Sequence, residues 1–194
     1  MVNNLPDDAE IYGHFRECLR AATQNIQSAY MFLPIAGSVL PVYRERVYCY
    51  ELYHQLRLTW CDYGGYSLGG EVDKTHHPLM RGLDIDNTKP DLLVHRPGDM
   101  GGNLIVIEVK PITTKKRGIR KDLRTLTAFL HRGNYHHATY LVYGDNSQAF
   151  NGFVQKARIL QEEDTERRIN LNAITLYWHR LPHHPAEQIE WDAG

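Results

Sequence analysis

One apolar run restricts the fold of this chain more than any other feature of its sequence. Residues 104–109 are mostly aliphatic and follow the segment 97–103, which reads PGDMGGN and is dense in turn-forming residues. A second aliphatic run, 92–95, precedes that segment. Two β-prone runs on either side of a turn predict an antiparallel hairpin, and the continuous apolar character of the later run predicts burial on both faces.

Charge appears abruptly at the end of the later run, in Glu108 and Lys110. If the hairpin is centred between residues 99 and 100, Asp91 lies opposite Glu108. Because side chains alternate along a strand, Glu108 and Lys110 share one face and Val109 points to the other. The sequence therefore predicts two carboxylates and an ammonium group at one end of the sheet.

Burying these charges without compensation would be costly. A hard divalent cation such as Mg²⁺, held by carboxylate oxygens and a backbone carbonyl, would offset the repulsion and coordinate a phosphate and a water. Lys110 would orient that water or stabilise the charge that develops on the substrate. The alternative is a surface hairpin that carries an ordinary ion pair.

The sequence before and after this hairpin predicts several helices and three further strands. Asp7 and Glu10 match a capping pattern, and apolar residues then recur at helical spacing as far as Ala29. Further helices are predicted over 42–60, 119–131 and 148–168, and further strands over 139–143 and 174–179. A short strand is also predicted among the glycines of 64–70, continuing through Glu71 and Val72. The order predicts one α/β domain, 1–194, with a mixed β-sheet flanked by helices. Its parts are an N-terminal helical extension (1–40), a core (42–144) and a C-terminal helix and strand (145–194).

Pro90-Asp91, followed by Glu108-Val109-Lys110 seventeen positions after the aspartate, resembles the signature of the PD-(D/E)XK nuclease superfamily. The resemblance implies a restriction-endonuclease-like core and Mg²⁺-dependent hydrolysis of phosphodiester bonds, with Mn²⁺ as a substitute. Asp91 and Glu108 would be metal ligands, the Val109 carbonyl a further ligand, and Lys110 the residue that positions or activates the water.

Other acidic residues join this expected site through the same resemblance. Many members carry a glutamate on the preceding helix, which corresponds here to Glu51, acting near the metal. Glu71 is an extra acid that would bind a second metal or lie at the rim. The pair His76-His77 follows in the next loop, near where substrate would approach.

A basic cluster follows the motif and predicts phosphate contacts. It consists of Lys115, Lys116, Arg117, Arg120, Lys121 and Arg124. A cluster of this kind can grip a nucleic-acid backbone, or it can be the solvated end of a helix. The whole chain has a net charge of −1, so any attraction to nucleic acid must come from this local patch.

Composition and the context of isolated motif matches argue against membrane, disulfide-rich, zinc-binding and serine-hydrolase proteins. No stretch approaches the roughly 18 apolar residues of a membrane helix, and three cysteines without a C-x-x-C pair indicate neither disulfides nor a zinc ribbon. We therefore expect a cytoplasmic protein with no membrane contact. Gly65-Tyr66-Ser67-Leu68-Gly69 matches the G-x-S-x-G pattern of serine hydrolases, but no hydrophobic strand precedes it. Histidine pairs such as 131/136 lack the cysteines of a zinc finger.

The function expected from the sequence is thus a metal-dependent nuclease, with DNA preferred to RNA by family habit. The rival is a catalytically inactive module with the same fold that binds nucleic acid or a protein. Cutting both strands of a duplex with one site per chain would favour a homodimer, and target recognition could require a partner protein.

Overall fold

A computed structural model of the chain describes residues 6–38, 42–70, 89–99, 101–164 and 169–192. Six strands in these ranges form one sheet in the order β1-β2-β3-β4-β5-β6. The strands are β1 (Ser67–Gly70), β2 (Leu92–His95), β3 (Asn103–Pro111), β4 (His137–Tyr143), β5 (Ile174–His179) and β6 (Glu187–Ile189). The helices are α1 (Asp8–Gln24), α2 (Ser28–Met31), α3 (Glu45–Thr59), α4 (Lys116–His131) and α5 (Ser147–Glu163).

The sheet is mixed, as the sequence predicted. Strands β1, β2 and β3 form an antiparallel meander, β3, β4 and β5 are parallel, and β6 is antiparallel to β5. The parallel pairs are connected through α4 and α5, which pack on the same face, as two successive crossovers of one hand require. By the strand order, β3 and β4 lie in the middle of the sheet. The helices α1 and α3 cover its other face.

The hairpin has the predicted register near its charged end. Leu92 pairs with Ile107 and Val94 with Ile105, so the next position places Asp91 opposite Glu108. An irregularity after Val94 shifts the pairing by one residue. It lies at the turn end of the hairpin, and the charged end keeps its alignment.

Each face of the sheet has its own apolar core. Ile105, Ile107 and Val109 pack with residues of α1 and α3 on one face. Val106 packs with residues of α4 and α5 on the other. The strand β3 is therefore buried on both sides, which confirms the reading of its continuous apolar run, and the alternation predicts that Glu108 lies on the α4 side.

The first helix begins as predicted and ends earlier. The Asp7 side chain accepts from the Glu10 N–H, and Glu10 bonds back to the Asp7 backbone, forming the capping box. The prediction that helical structure continues to Ala29 is wrong, because α1 ends at Gln24 and the separate short helix α2 starts at Ser28. The Ile26 carbonyl instead accepts from the His183 N–H at 3.2 Å, a long-range contact that helical periodicity does not reveal.

The other predicted helices and strands are present with ends that differ by a few residues, such as α4, which starts at Lys116 and not at 119. The helix α5 stops at Glu163, because Asp164 leaves the helical region at φ −96 and ψ 61; residues 165–168 lie outside the described part. The strand β6 was not predicted, since its three residues, largely polar, give no β pattern. None of the described helices is long and apolar enough to cross a bilayer.

Candidate active site

The ammonium of Lys110 is the centre of a compact cluster of acids. Its side chain is 10% exposed, and its Nζ lies 2.7 Å from Glu45, 3.8 Å from Asp122, 3.9 Å from Asp91 and 4.0 Å from Glu108. Burial lowers the pKa of Lys110, but the four carboxylates outweigh it and raise the pKa well above the usual lysine value. Lys110 therefore stays charged at any physiological pH.

Asp91 is held in place by the strand that carries the rest of the motif. One carboxylate oxygen, Oδ2, accepts a hydrogen bond of 2.8 Å from the Val109 N–H. Its side chain is 15% exposed, so it reaches solvent more than its neighbour Glu108 does. The hairpin thus fixes Asp91 with one oxygen bonded to the backbone and the carboxylate close to the surface.

The surroundings of Glu108 disfavour the charged form of its carboxyl group. Its side chain is 4% exposed. Burial raises the pKa of Glu108 well above its usual range, and the neighbouring carboxylates of Asp91 and Asp122 add to this, while Lys110 opposes it. Paired acids with a pKa raised in this way are a mark of functional sites, because packing alone does not call for them.

Asp122, which the sequence interpretation did not assign to the site, belongs to the cluster. It is fully buried on α4, and its Oδ2 accepts a 2.8 Å hydrogen bond from the Tyr140 hydroxyl. Burial raises the pKa of Asp122 to about 7. Helical spacing could have revealed it, since Ile119, Asp122, Leu123 and Leu126 fall at i, i+3, i+4 and i+7 on one buried stripe.

The acid that α3 contributes to the cluster is Glu45. Its Oε1 accepts the shortest hydrogen bond from Lys110, at 2.7 Å. Glu51 lies six residues later, about 9 Å along the helix axis, and its Oε1 accepts from Gln55. No interaction among the described residues joins Glu51 to Lys110, so its proposed role near a metal stays a prediction from the resemblance. Helical spacing could have indicated that Glu45 faces inward, because it lies one turn before Cys49, which packs against the core.

A cleft opens beside Asp91 at the edge of this cluster. It has a volume of about 280 Å³ and is lined by Cys49, Tyr50, Tyr53, Gly70, Asp91 and Leu92. Burial raises the pKa of the Cys49 thiol well above its usual value, and the charge of Asp91 adds to the effect. Cys49 is therefore a neutral lining group, and the cleft gives a largely apolar approach to the acids.

Half of the predicted basic cluster is already paired with acids at the end of α5. Lys116 and Arg120 contact Glu163 at 2.7 and 2.8 Å, and Arg124 contacts Asp164 at 2.5 Å. These pairs tie α4 to α5. The exposed members Lys115, Arg117 and Lys121 take part in none of the ion pairs among the described residues. They are the part of the cluster whose charge faces solvent.

The donor chemistry of the cluster suits a hard cation. Asp91 and Glu108 supply adjacent carboxylate oxygens, and Mg²⁺ is commonly bound through one or two carboxylates together with substrate phosphate and waters. Within the described ranges no group of three or more His, Cys, Asp and Glu side chains is arranged to hold a metal by itself. The predicted ligand Glu71 and the pair His76-His77 lie outside those ranges. Asp91 and Glu108 are thus the carboxylates of the described cluster that could contribute oxygen ligands to such a cation.

The G-x-S-x-G match and two of the histidines have structural contacts in the fold. Ser67 is the first residue of β1 and follows a 3-10 turn, Tyr63–Gly65, so it lacks the strand before the serine that a hydrolase elbow needs. His136 pairs with Asp8 at 2.6 Å. His179 is buried with its Nδ1 2.7 Å from the Tyr48 hydroxyl. These contacts hold elements together.

Comparisons of the chain with family models, with curated proteins and with solved structures found no match.

Proposed function

We propose that this protein is a metal-dependent nuclease of the PD-(D/E)XK class that hydrolyses phosphodiester bonds, most readily in DNA. The observation that carries the proposal is the meeting of Asp91, Glu108 and Lys110 in one buried cluster. The order α3, β1, β2, β3, α4, β4 supports a restriction-endonuclease-like core. Ligands in open α/β sheets also tend to bind at the carboxyl ends of strands, which is where Lys110 lies on β3.

In this proposal Asp91 and Glu108 would hold Mg²⁺ or Mn²⁺, and the Val109 carbonyl would be a further ligand. The bound ion would lower the pKa of a water and neutralise charge on the phosphate. Lys110, which remains an ammonium, donates a hydrogen bond to the attacking water or to a non-bridging phosphate oxygen. The water would lose a proton to solvent as its oxygen bonds to phosphorus, the P–O bond to the leaving sugar oxygen would break, and that oxygen would take up a proton from solvent.

The substrate class is tested by incubating the purified protein with end-labelled single-stranded DNA, duplex DNA and RNA of one sequence. Each is assayed with Mg²⁺, with Mn²⁺ and with EDTA. We expect cutting of DNA that needs either metal and stops in EDTA. Binding without cutting by a folded protein would favour a non-cleaving module that binds nucleic acid.

Glu45 and Glu51 of α3 distinguish two assignments. The structure places Glu45 against Lys110, whereas the resemblance assigns Glu51 to the site. We expect Glu45→Gln to lower the cleavage rate about tenfold, because it removes the carboxylate charge that accepts the shortest hydrogen bond from Lys110. Glu51→Gln should have a smaller effect, since Glu51 bonds Gln55. Steady-state rates of the two variants decide the question, and a larger loss in Glu51→Gln would restore the assignment from the resemblance.

The cleft beside Asp91 is expected to receive part of the substrate. A Cβ at Gly70 would sit 3.7 Å from the Tyr53 ring, an ordinary contact, so Gly70→Ala should leave activity close to that of the wild type. Gly70→Leu should fill the cleft and raise KM severalfold. Equal kinetics for the two variants, at equal stability, would show that substrate does not use this cleft.

The exposed basic residues of α4 should contribute to binding through phosphate contacts. Arg117→Ala and Lys121→Ala should weaken binding and lower the slope of log K against log salt by about 0.9 each on duplex DNA. Arg120→Ala is the matched control, because its guanidinium already pairs with Glu163 and its loss should change the slope less. Fluorescence anisotropy titrations in Ca²⁺ at several salt concentrations measure the slopes, and identical slopes in all three variants would contradict this interface.

The remaining parts of the proposal concern partners and location. The cysteines Cys18, Cys49 and Cys61 are all free thiols, which suits a reducing compartment such as the cytoplasm. A single active site per chain would cut both strands of a duplex most directly as a homodimer. Sequence or target recognition beyond the cluster would come from a partner protein.

A further inference from the structure

Asp122 has an unusual combination of burial and incomplete bonding. It is 0% exposed. One oxygen accepts from Tyr140, whereas Oδ1 has no hydrogen-bond partner among the described residues and lies 3.8 Å from the Lys110 Nζ. That distance is too long for a hydrogen bond and short enough for strong attraction at low dielectric. The carboxylate is therefore oriented by Tyr140 so that its free oxygen faces Lys110.

Core packing gives no reason for an acid at this position. The neighbouring positions on the stripe are the apolar residues Ile119, Leu123 and Leu126. A buried carboxylate is costly unless it is well paired. An asparagine would keep the hydrogen bond from Tyr140 without a charge. The carboxylate of Asp122 therefore costs stability, as expected when a charged group has a functional role.

Asp122 differs from Glu45, the other helix acid on Lys110, in how firmly it is fixed. The Glu45 side chain is 38% exposed and starts α3, so solvent competes for it. Asp122 is enclosed by the core and bonded to Tyr140 on the neighbouring strand β4. It offers Lys110 a fixed counter-charge from the side opposite to the solvent.

We infer that Asp122 is a positioning residue that, oriented by Tyr140, holds the Lys110 ammonium beside Asp91 and Glu108 for the proposed phosphodiester hydrolysis. The inference rests on that proposed function for its kinetic consequence. The placement of Lys110 by Asp122 is a property of the protein alone. The two parts are therefore tested by separate measurements.

The kinetic test compares Asp122→Asn and Tyr140→Phe with wild type. We expect Asp122→Asn to lower kcat about 10- to 100-fold, the usual effect of removing a partner that orients a reacting group, with KM changed less than twofold. Tyr140→Phe should lower kcat less, since the carboxylate remains. In a Lys110→Met background Asp122→Asn should lower the residual rate no further.

The matched control is Thr127→Val, which changes another buried polar side chain of α4 that has no hydrogen-bond partner among the described residues. It should leave kcat unchanged. A purely structural role for Asp122 predicts the reverse pattern: lower stability in Asp122→Asn with an unchanged kcat per folded molecule. That pattern, or equal losses of rate with and without Lys110, would overturn the inference.

An NMR measurement keeps the inference separate from the nuclease proposal. The order parameter of the Lys110 Nζ–Cε group should be high in wild type and should fall in Asp122→Asn, while Thr127→Val leaves it unchanged. If wild type does not cut but this order is lost, the positioning stands and the nuclease proposal fails. If wild type cuts and the order is unchanged in Asp122→Asn, the positioning role is wrong.

Discussion

Replacing Glu108 with Gln is expected to abolish metal-dependent cutting and, near pH 8, to make the folded protein more stable. Loss of a metal-binding carboxylate removes several kcal/mol of stabilisation of the transition state, so the rate should fall by a factor of about 10³. Stability should rise because ionisation of a carboxyl buried beside Asp91 is unfavourable, which is why folding raises the pKa of Glu108. Cleavage rates and urea denaturation measure the two effects.

The pH dependence gives the sign of the stability effect. Because folding raises the pKa of Glu108, its contribution favours the folded state below the pKa of the unfolded chain and is lost as pH rises through the folded pKa. The gain from Gln should therefore shrink towards pH 4. Glu187→Gln, on the exposed edge strand β6, is the control and should change neither quantity. A loss of stability in Glu108→Gln at pH 8 would show that the charge is structural.

Replacing Lys110 with Met should be the most destabilising change in the site. It leaves Asp122 and Glu108 buried without their cation, and breaking a buried pair from one side costs about 3–5 kcal/mol. The nuclease rate should fall as well, since the water or phosphate loses its ammonium donor. Urea denaturation at pH 8 gives the cost, and cleavage at a temperature where the variant is folded gives the rate.

The cost of Lys110→Met should be smaller at pH 5 than at pH 8. At pH 5 Asp122, whose pKa is raised to about 7, is protonated and needs no counter-charge. Lys121→Met changes an exposed lysine of the same helix and should alter stability by no more than about 0.5 kcal/mol. A cost independent of pH would mean that the packing of the Lys110 stem, and not its charge, stabilises the fold.

The hairpin shows how much of the site is readable from sequence. The turn-rich segment and its two flanking runs predict the register that places Asp91 opposite Glu108, and the structure has this register. Local periodicity suffices here because the two strands are adjacent in the chain. The mixed sheet and its flanking helices follow from the same patterns.

Helical periodicity indicates that Glu45 and Asp122 lie on the inward sides of their helices, but it does not show that they meet at Lys110. Glu45 and Asp122 reach Lys110 from two helices, and only the packing of α3 and α4 on the sheet determines which helix residues face the strand end. The resemblance selects Glu51 instead, which lies about 1.7 turns after Glu45 on α3. Just after the end of α1 the Ile26 carbonyl likewise accepts from the His183 N–H, a contact between distant parts of the chain that local pattern does not indicate.

The nuclease proposal is tested most directly by cleavage of labelled DNA by purified wild type and Asp91→Ala at equal folded concentration, each with Mg²⁺ and with EDTA. We predict cutting by wild type in Mg²⁺, none in EDTA, and a loss of about 10³-fold or more in Asp91→Ala. Equal cutting by the two proteins, or no cutting by folded wild type on any nucleic acid, would contradict the assignment of Asp91, Glu108 and Lys110 as an active site.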